Sequence, residues 1–347
     1  MFGRNDNTPL WVYKNSSDFL SSVAISGDGN YIVVGGSSNI YLFSRTDNTP
    51  LWTAPYRGEI VSISSDGSYI ATADQTKVYL FSRTSSTPTW TFQPGGTVRS
   101  VAMSSDGNYI VVAAYTRIYL LSKSSSTPLW STLEMTLNTG HVAISSNGNY
   151  IATAGSDSSY DPHNVWLYSY TSENKLWYYK YGGADYYYVA TSADGNYIVT
   201  GNSSKILVFS RTDNAPLWSF TEGNGSRAAA ISSDGSYIAA GGYDSKKIYY
   251  LSRTENNPQW SYTINSWAGN AHIIDVAMSS DGSTVIAADS VDNIYFFGSA
   301  TSSPQQPGGG STTTTSGDST LIVVGIGGVV AAIGVAAYII FGGPRRR

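Results

Sequence analysis

Cysteine is absent from the 347-residue sequence, which rules out a disulfide framework, thiolate metal sites and thiol catalysis. Histidine occurs three times, at His141, His163 and His272, in separate regions, so no histidine metal triad is encoded. Charged side chains make up 13% of the chain, about half the usual share. Net charge is −4 even with Arg345, Arg346 and Arg347 at the end, and so acidic a body suits nucleic acid poorly. The phosphate-cradling patterns GxGxxG and GxxxxGK do not occur, and neither does the GxSxG elbow of serine hydrolases.

What the chain has instead is 27 Tyr, 9 Trp and 35 Gly, set among Ser, Thr and Asn. This mixture favours strands and tight turns. Two markers recur. Tryptophan stands at Trp11, Trp52, Trp90, Trp130, Trp177, Trp218 and Trp260, and the glycine of "SSDG" or a variant at Gly29, Gly67, Gly107, Gly148, Gly195, Gly235 and Gly282. Both count seven, at a spacing typical of β-propeller blades, roughly 40–45 residues. One unit reads clearly over 98–133. "SVAMS", "YIVVAA", "RIYLLS" and "LWSTL" are four short strands, with "SDGN" and "SSSTP" as turns. The fold class is therefore all-β: a seven-bladed propeller of four-stranded antiparallel blades over residues 1–298. Trp52, Trp90, Trp130 and Trp218 are expected to pack between blades. The chain opens on a fourth strand and its last unit stops at a third, so residues 9–14 are expected to close the ring beside 294–298. Asp28, Asp66, Asp106, Asp194 and Asp234 each have a base in the same unit, at Arg45, Arg83, Lys123, Arg211 and Arg253. Unit four has Asn147 and Tyr170, losing both charges together, which suggests a repeated turn-to-turn ion pair, with Arg4 standing in for Ser299 beside Asp281 in the last unit. The alternative is that each aspartate only caps its own Asp-Gly turn and the base is solvated.

The repeat resembles the broad superfamily of WD-repeat, YVTN and PQQ-like propellers over residues 2–298. It departs from WD repeats in lacking a periodic Gly-His pair, and its third strands end in "YLFSR" rather than Trp-Asp. "PLW" followed by "VAISGDG" looks closer to PQQ-like repeats of membrane-anchored bacterial and archaeal surface proteins. A quinone enzyme of that class implies eight blades and a calcium site beside a catalytic aspartate, and the sequence carries neither; no cofactor is expected. Asp157, Asp161 and His163 lack calcium-loop spacing and read as a capped proline turn.

Residues 299–319 are a Ser/Thr/Gly/Pro-rich linker. Residues 320–341 include 21 uncharged, largely apolar residues, long enough to cross a bilayer as a helix, and 342–347 form a basic tail that favours the cytoplasmic side. The lipid bilayer is then a partner, and the propeller stands outside the cell. Residues 1–20 hold no export signal, so either the C-terminal span carries the topology or a signal lay upstream.

In a propeller the turns joining strands one to two and three to four share one face. Here those turns are monotonous, while the opposite face carries the variation, as in "GSDSSYDPHN", "YKYGGADYYY" and "INSWAGNAHIID". Aligned first strands place Ser21, Glu59, Arg99, Gly140, Tyr187, Arg227 and Ile274 around the channel mouth on that face. Glu59, Arg99, Tyr187 and Arg227, with Tyr186 and Trp267 as exposed aromatics, are the candidate ligand- or partner-binding residues; no catalytic residue is assigned. Three functions compete: a surface-anchored binding or scaffold domain for a protein or glycan, a cytoplasmic tail-anchored assembly platform, and a quinone- or metal-dependent enzyme.

Overall fold

The computed structural model describes residues 11–14, 17–133, 138–156, 163–181, 186–202, 205–221, 226–242, 245–264, 272–290, 294–298, 320–321 and 337–338. Seven antiparallel meanders follow one another along the chain. Blade one comprises Leu20–Ile25, Tyr31–Gly36, Ile40–Ser44 and Trp52–Ala54. Blade two runs from Ile60–Ile63 to Trp90–Phe92, blade three from Val98–Met103 to Ser125–Leu133, and blade four from Asn138–Ile144 to Lys175–Tyr181. Blade five runs from Tyr186–Thr191 to Pro216–Thr221 and blade six from Ser226–Ile231 to Pro258–Thr263; blade seven holds Ile273–Met278, Thr284–Asp289 and Ile294–Gly298. The first strands of successive blades from one to seven touch one another, so they line the axis.

Apolar residues run continuously along the second and third strands because both sheet faces are covered by neighbouring blades. The core is thus a series of layers between blades. One layer joins Ile60, Leu80, Val101, Met103 and Val112 of blades two and three. Each fourth-strand tryptophan spans a blade boundary. Trp52 donates its Nε1–H to the Arg83 carbonyl at 2.7 Å, Trp90 to Lys123 at 3.1 Å, Trp130 to Tyr170 at 2.9 Å and Trp218 to Arg253 at 2.5 Å.

Two expectations are corrected. First, Tyr13–Lys14 pairs with Thr320–Leu321, not with 294–298, and among the described residues blade seven has three strands. Residues 9–10 of the expected closing strand lie outside the described residues. The Trp11 side chain and the Val12 carbonyl nevertheless lie where a fourth strand would put them. Trp11 donates to the Arg45 carbonyl at 2.8 Å and packs 5.5 Å from the Phe43 ring, and Asn48 donates to the Val12 carbonyl at 3.2 Å. The corresponding Asn214 of blade five donates to Tyr178 of blade four at 3.0 Å.

Second, the repeated aspartates form no ion pair with the bases among the described residues. Each carboxylate is occupied by its own turn. Asp106 accepts from the Ser104 hydroxyl at 2.6 Å and the Asn108 N–H at 2.9 Å, while Ser104 accepts from the Tyr109 N–H at 3.0 Å. Asn147 caps its turn in the same way. The bases cross to the tyrosine of the preceding blade: Arg83 over Tyr31, Lys123 over Tyr69, Arg211 over Tyr150 and Arg253 over Tyr197. Tyr170, in place of a base, packs its ring 5.3 Å from Tyr109. The two changes in unit four therefore concern different contacts.

The expected helix over 320–341 lies outside the described residues except at Thr320–Leu321 and Ala337–Tyr338, which are two-residue strands paired to Tyr13–Lys14 and Ser22–Val23. Among the described residues no helix is long and apolar enough to cross a membrane.

Candidate ligand-binding face

The two ends of the ring are built differently. At the repeated-turn end, backbone bonds run from blade to blade around the axis. The Asp28 N–H donates to Ser65, Ser65 to Ser105, Ser105 to Ser146, Asn147 to Ala193, Ala193 to Ser233 and Ser233 to Ser280, at 2.8–3.4 Å. The turn glycines take φ near +70°, and Gly67, Gly107, Gly148, Gly195, Gly235 and Gly282 each lie against the tyrosine of the blade before. A methyl group at Gly107 would come within 2.9 Å of the Tyr69 ring, so a side chain there is blocked by both backbone and neighbour. This end has little freedom to vary.

At the opposite end the first strands carry β-bulges. The register shifts between Leu20 and Ser22, Val98 and Ser100, Thr139 and His141, Tyr186 and Tyr188, Ser226 and Ala228, and Ile273 and Asp275. The bulged residues are Ser21, Arg99, Gly140, Tyr187, Arg227 and Ile274, six members of the ring picked out by strand alignment. The seventh, Glu59, directly precedes the first strand of blade two, its N–H bonded to the Ala73 carbonyl at 2.8 Å. A bulge re-aims the side chain it carries and is a common device beside binding sites.

Glu59 is ion-paired with Arg57 and accepts from Gln75 at 3.4 Å, so its charge is balanced locally. Arg99 is exposed. The backbones of Tyr186, Tyr187 and Arg227 lie at their bulges, but their side chains and the whole of Trp267 fall outside the described residues. Asp157 and Asp161 also lie outside them. Among the described residues no group of three or more His, Asp or Glu is placed to hold a metal.

Sequence reasoning missed the carboxylates that brace this face. Asp18 is buried and accepts from the Ser37 and Tyr41 hydroxyls, both at 2.8 Å, and from the Ser38 and Asn39 N–H groups. Desolvation pushes Asp18 up, but these donors outweigh it and hold the carboxyl below its ordinary value. Asp74 caps its own loop through Thr76 and Lys77 and accepts from Tyr79, whose hydroxyl is pushed up to about 12 by desolvation and by Asp74. Their lone pairs are engaged in holding loops, so these carboxylates are poorly placed for acid–base work. His141 and Asp275 sit in register-equivalent positions just inside the bulges of blades four and seven. Desolvation holds His141 down to about 4 and raises Asp275 to about 7. Tyr115 was also missed: it takes φ 48° in the short turn before Arg117, and nothing in "AAYTR" announces a left-handed tyrosine.

Residues 36–164 match the family described as outer membrane protein assembly factor BamB, and residues 7–44 match the WD domain, G-beta repeat. The matched stretches overlap at 36–44 and together reach into the third strand of blade four, where the repeated turns and bulges are both present. Together with the seven blades, these matches support a WD/PQQ-like repeat propeller. No curated protein matches it. In this propeller the variable residues collect at the bulged end and the repeated ones at the locked end.

Proposed function

We propose that the protein is a non-enzymatic binding or scaffold domain, using the bulged face as its binding surface. The observation carrying this reading is the contrast between the ends. One is locked by the same contacts in blade after blade, while the other presents five different residue types at six equivalent bulges. We further propose that residues 320–341, once released from their pairings with Tyr13–Lys14 and Ser22–Val23, tether the propeller to a bilayer through the 299–319 linker, with the bulged face turned outward. Support comes from the uncharged length of that segment, the arginines after it, and the exit of the linker after Gly298 at the locked end.

Full-length chain in detergent micelles, screened against glycan and surface-protein arrays, tests the binding role. Ligands should be retained when Lys123 or Arg83 is changed and weakened when bulge residues Arg99, Tyr187 or Arg227 are changed; the opposite pattern would reject the assignment. Digestion of intact cells with external protease should cleave the propeller, and cleavage only after lysis would favour the cytoplasmic platform.

A further inference from the structure

We propose that the sector of the bulged face contributed by blades two and three docks an anionic saccharide, with Tyr115 as the stacking surface and Arg99 and Arg117 as the charge clamp. The inference rests on the bulged face being the binding surface.

Tyr115 is the first observation. A positive φ suits glycine or asparagine and disfavours a bulky side chain. Tyrosine stands there at φ 48° and leaves 48% of its surface exposed, so burial does little to offset the strain. Strained residues of this kind gather where a side chain is used. The link before blade three makes room for the ring. Gly96 lies against the Tyr115 side chain, and a Cβ at Gly95 would meet nothing within 4 Å.

Charge is the second observation. The register sets Val98 opposite Ala114 and Ala114 opposite Arg117, with Arg99 bulged beside Val98; the Tyr115 N–H donates to the Thr97 carbonyl at 2.9 Å. Arg99, Tyr115 and Arg117 therefore share one end of blade three. Next to them the Val98 N–H bonds the Gln75 carbonyl of blade two, which brings in Lys77 and Arg57. Among the described residues the sector's two carboxylates are engaged, Glu59 by Arg57 and Asp74 by its own loop. Among the described residues of this sector positive charge is thus in excess, on a chain of net charge −4. Each guanidinium can grip a carboxylate or sulfate group through two parallel N–H bonds, and a phenol ring offers a flat face to a pyranose. An acidic peptide would use the arginines but not the stacking ring.

The test is binding of heparin and of polygalacturonate to full-length protein in detergent micelles, at low and raised salt, with polyglutamate as competitor. Wild type should bind at least one polysaccharide. The double variant Arg99→Gln/Arg117→Gln should weaken binding about tenfold or more and flatten its salt dependence. Tyr115→Gly should also weaken binding while its thermal midpoint stays level or rises, because glycine relieves the backbone. Absence of binding by both polysaccharides, indifference to these variants, or equal affinity for polyglutamate would overturn the proposal. Sensitivity confined to Arg227→Gln would overturn this sector but leave the bulged-face reading standing, and sensitivity confined to Lys123→Gln would overturn both.

Discussion

The Arg253 guanidinium lies 4.0 Å from the centre of the Tyr197 ring, across the boundary between blades five and six. Its Nη1 also donates to the Asp234 carbonyl at 3.3 Å, leaving the Asp234 carboxylate to its own turn. A double-mutant cycle on Arg253 and Tyr197 should therefore return a coupling of about 0.5–1 kcal/mol. The cycle on Arg253 and the Asp234 carboxylate, using Asp234→Asn, should return a coupling near zero. Reversed values would restore the ion pair.

The caps make a separate prediction. Asn147 does in blade four what Asp106 does in blade three. Asp106→Asn should therefore change stability little, while Asp106→Ala should cost about 1 kcal/mol by removing the acceptor for Ser104 and Asn108. Urea unfolding of the two variants measures the difference.

The docking of Trp11 predicts that the N-terminal segment carries weight in the ring. Trp11→Ala should lower stability by about 3 kcal/mol, comparable with Trp90→Ala, because both tryptophans make the same contact with the next blade. Thermal unfolding decides it: a loss well under half that of Trp90→Ala would mean that residues 11–14 merely rest on the surface.

His141 and Asp275 predict a pH signature. The folded pKa of His141 is depressed to about 4, so its contribution is present above the ordinary histidine value and is lost as pH falls toward 4. The folded pKa of Asp275 is raised to about 7, so its contribution is present below the ordinary carboxylate value and is lost as pH rises toward 7. Between those limits the two slopes oppose each other. His141→Gln should leave a stability that falls with rising pH, and Asp275→Asn one that rises, each by up to about 1.4 kcal/mol per pH unit. Parallel profiles for the two variants in chemical denaturation would contradict this.

The fold was legible because each blade repeats the same solutions. The tryptophan, the Asp-Gly turn and the apolar second strand recur in phase, and period and count sufficed to give seven blades. Partner assignment was not legible. Asp106 and Lys123 recur together in one unit, but the contact of Lys123 is with Tyr69 of the unit before, and duplication makes both pairings recur equally. The candidate ring could be aligned, yet its bulges could not be foreseen, since Ser21, Arg99, Gly140, Tyr187, Arg227 and Ile274 share no side-chain chemistry. The bracing by Asp18 was hidden because its partners Ser37, Asn39 and Tyr41 belong to a later loop and strand.

Hydrogen exchange of the full-length protein, with and without heparin, tests the division of labour between the two ends most directly. In the free protein the belt amides of Ser65, Ser105, Ala193 and Ser233 should exchange slowly, because each is bonded to the next blade. On binding, added protection should appear in 94–99 and 115–117 and be absent from the repeated turns at 104–109 and 122–127. Protection gained in the repeated turns, with 94–99 and 115–117 unchanged, would contradict the account.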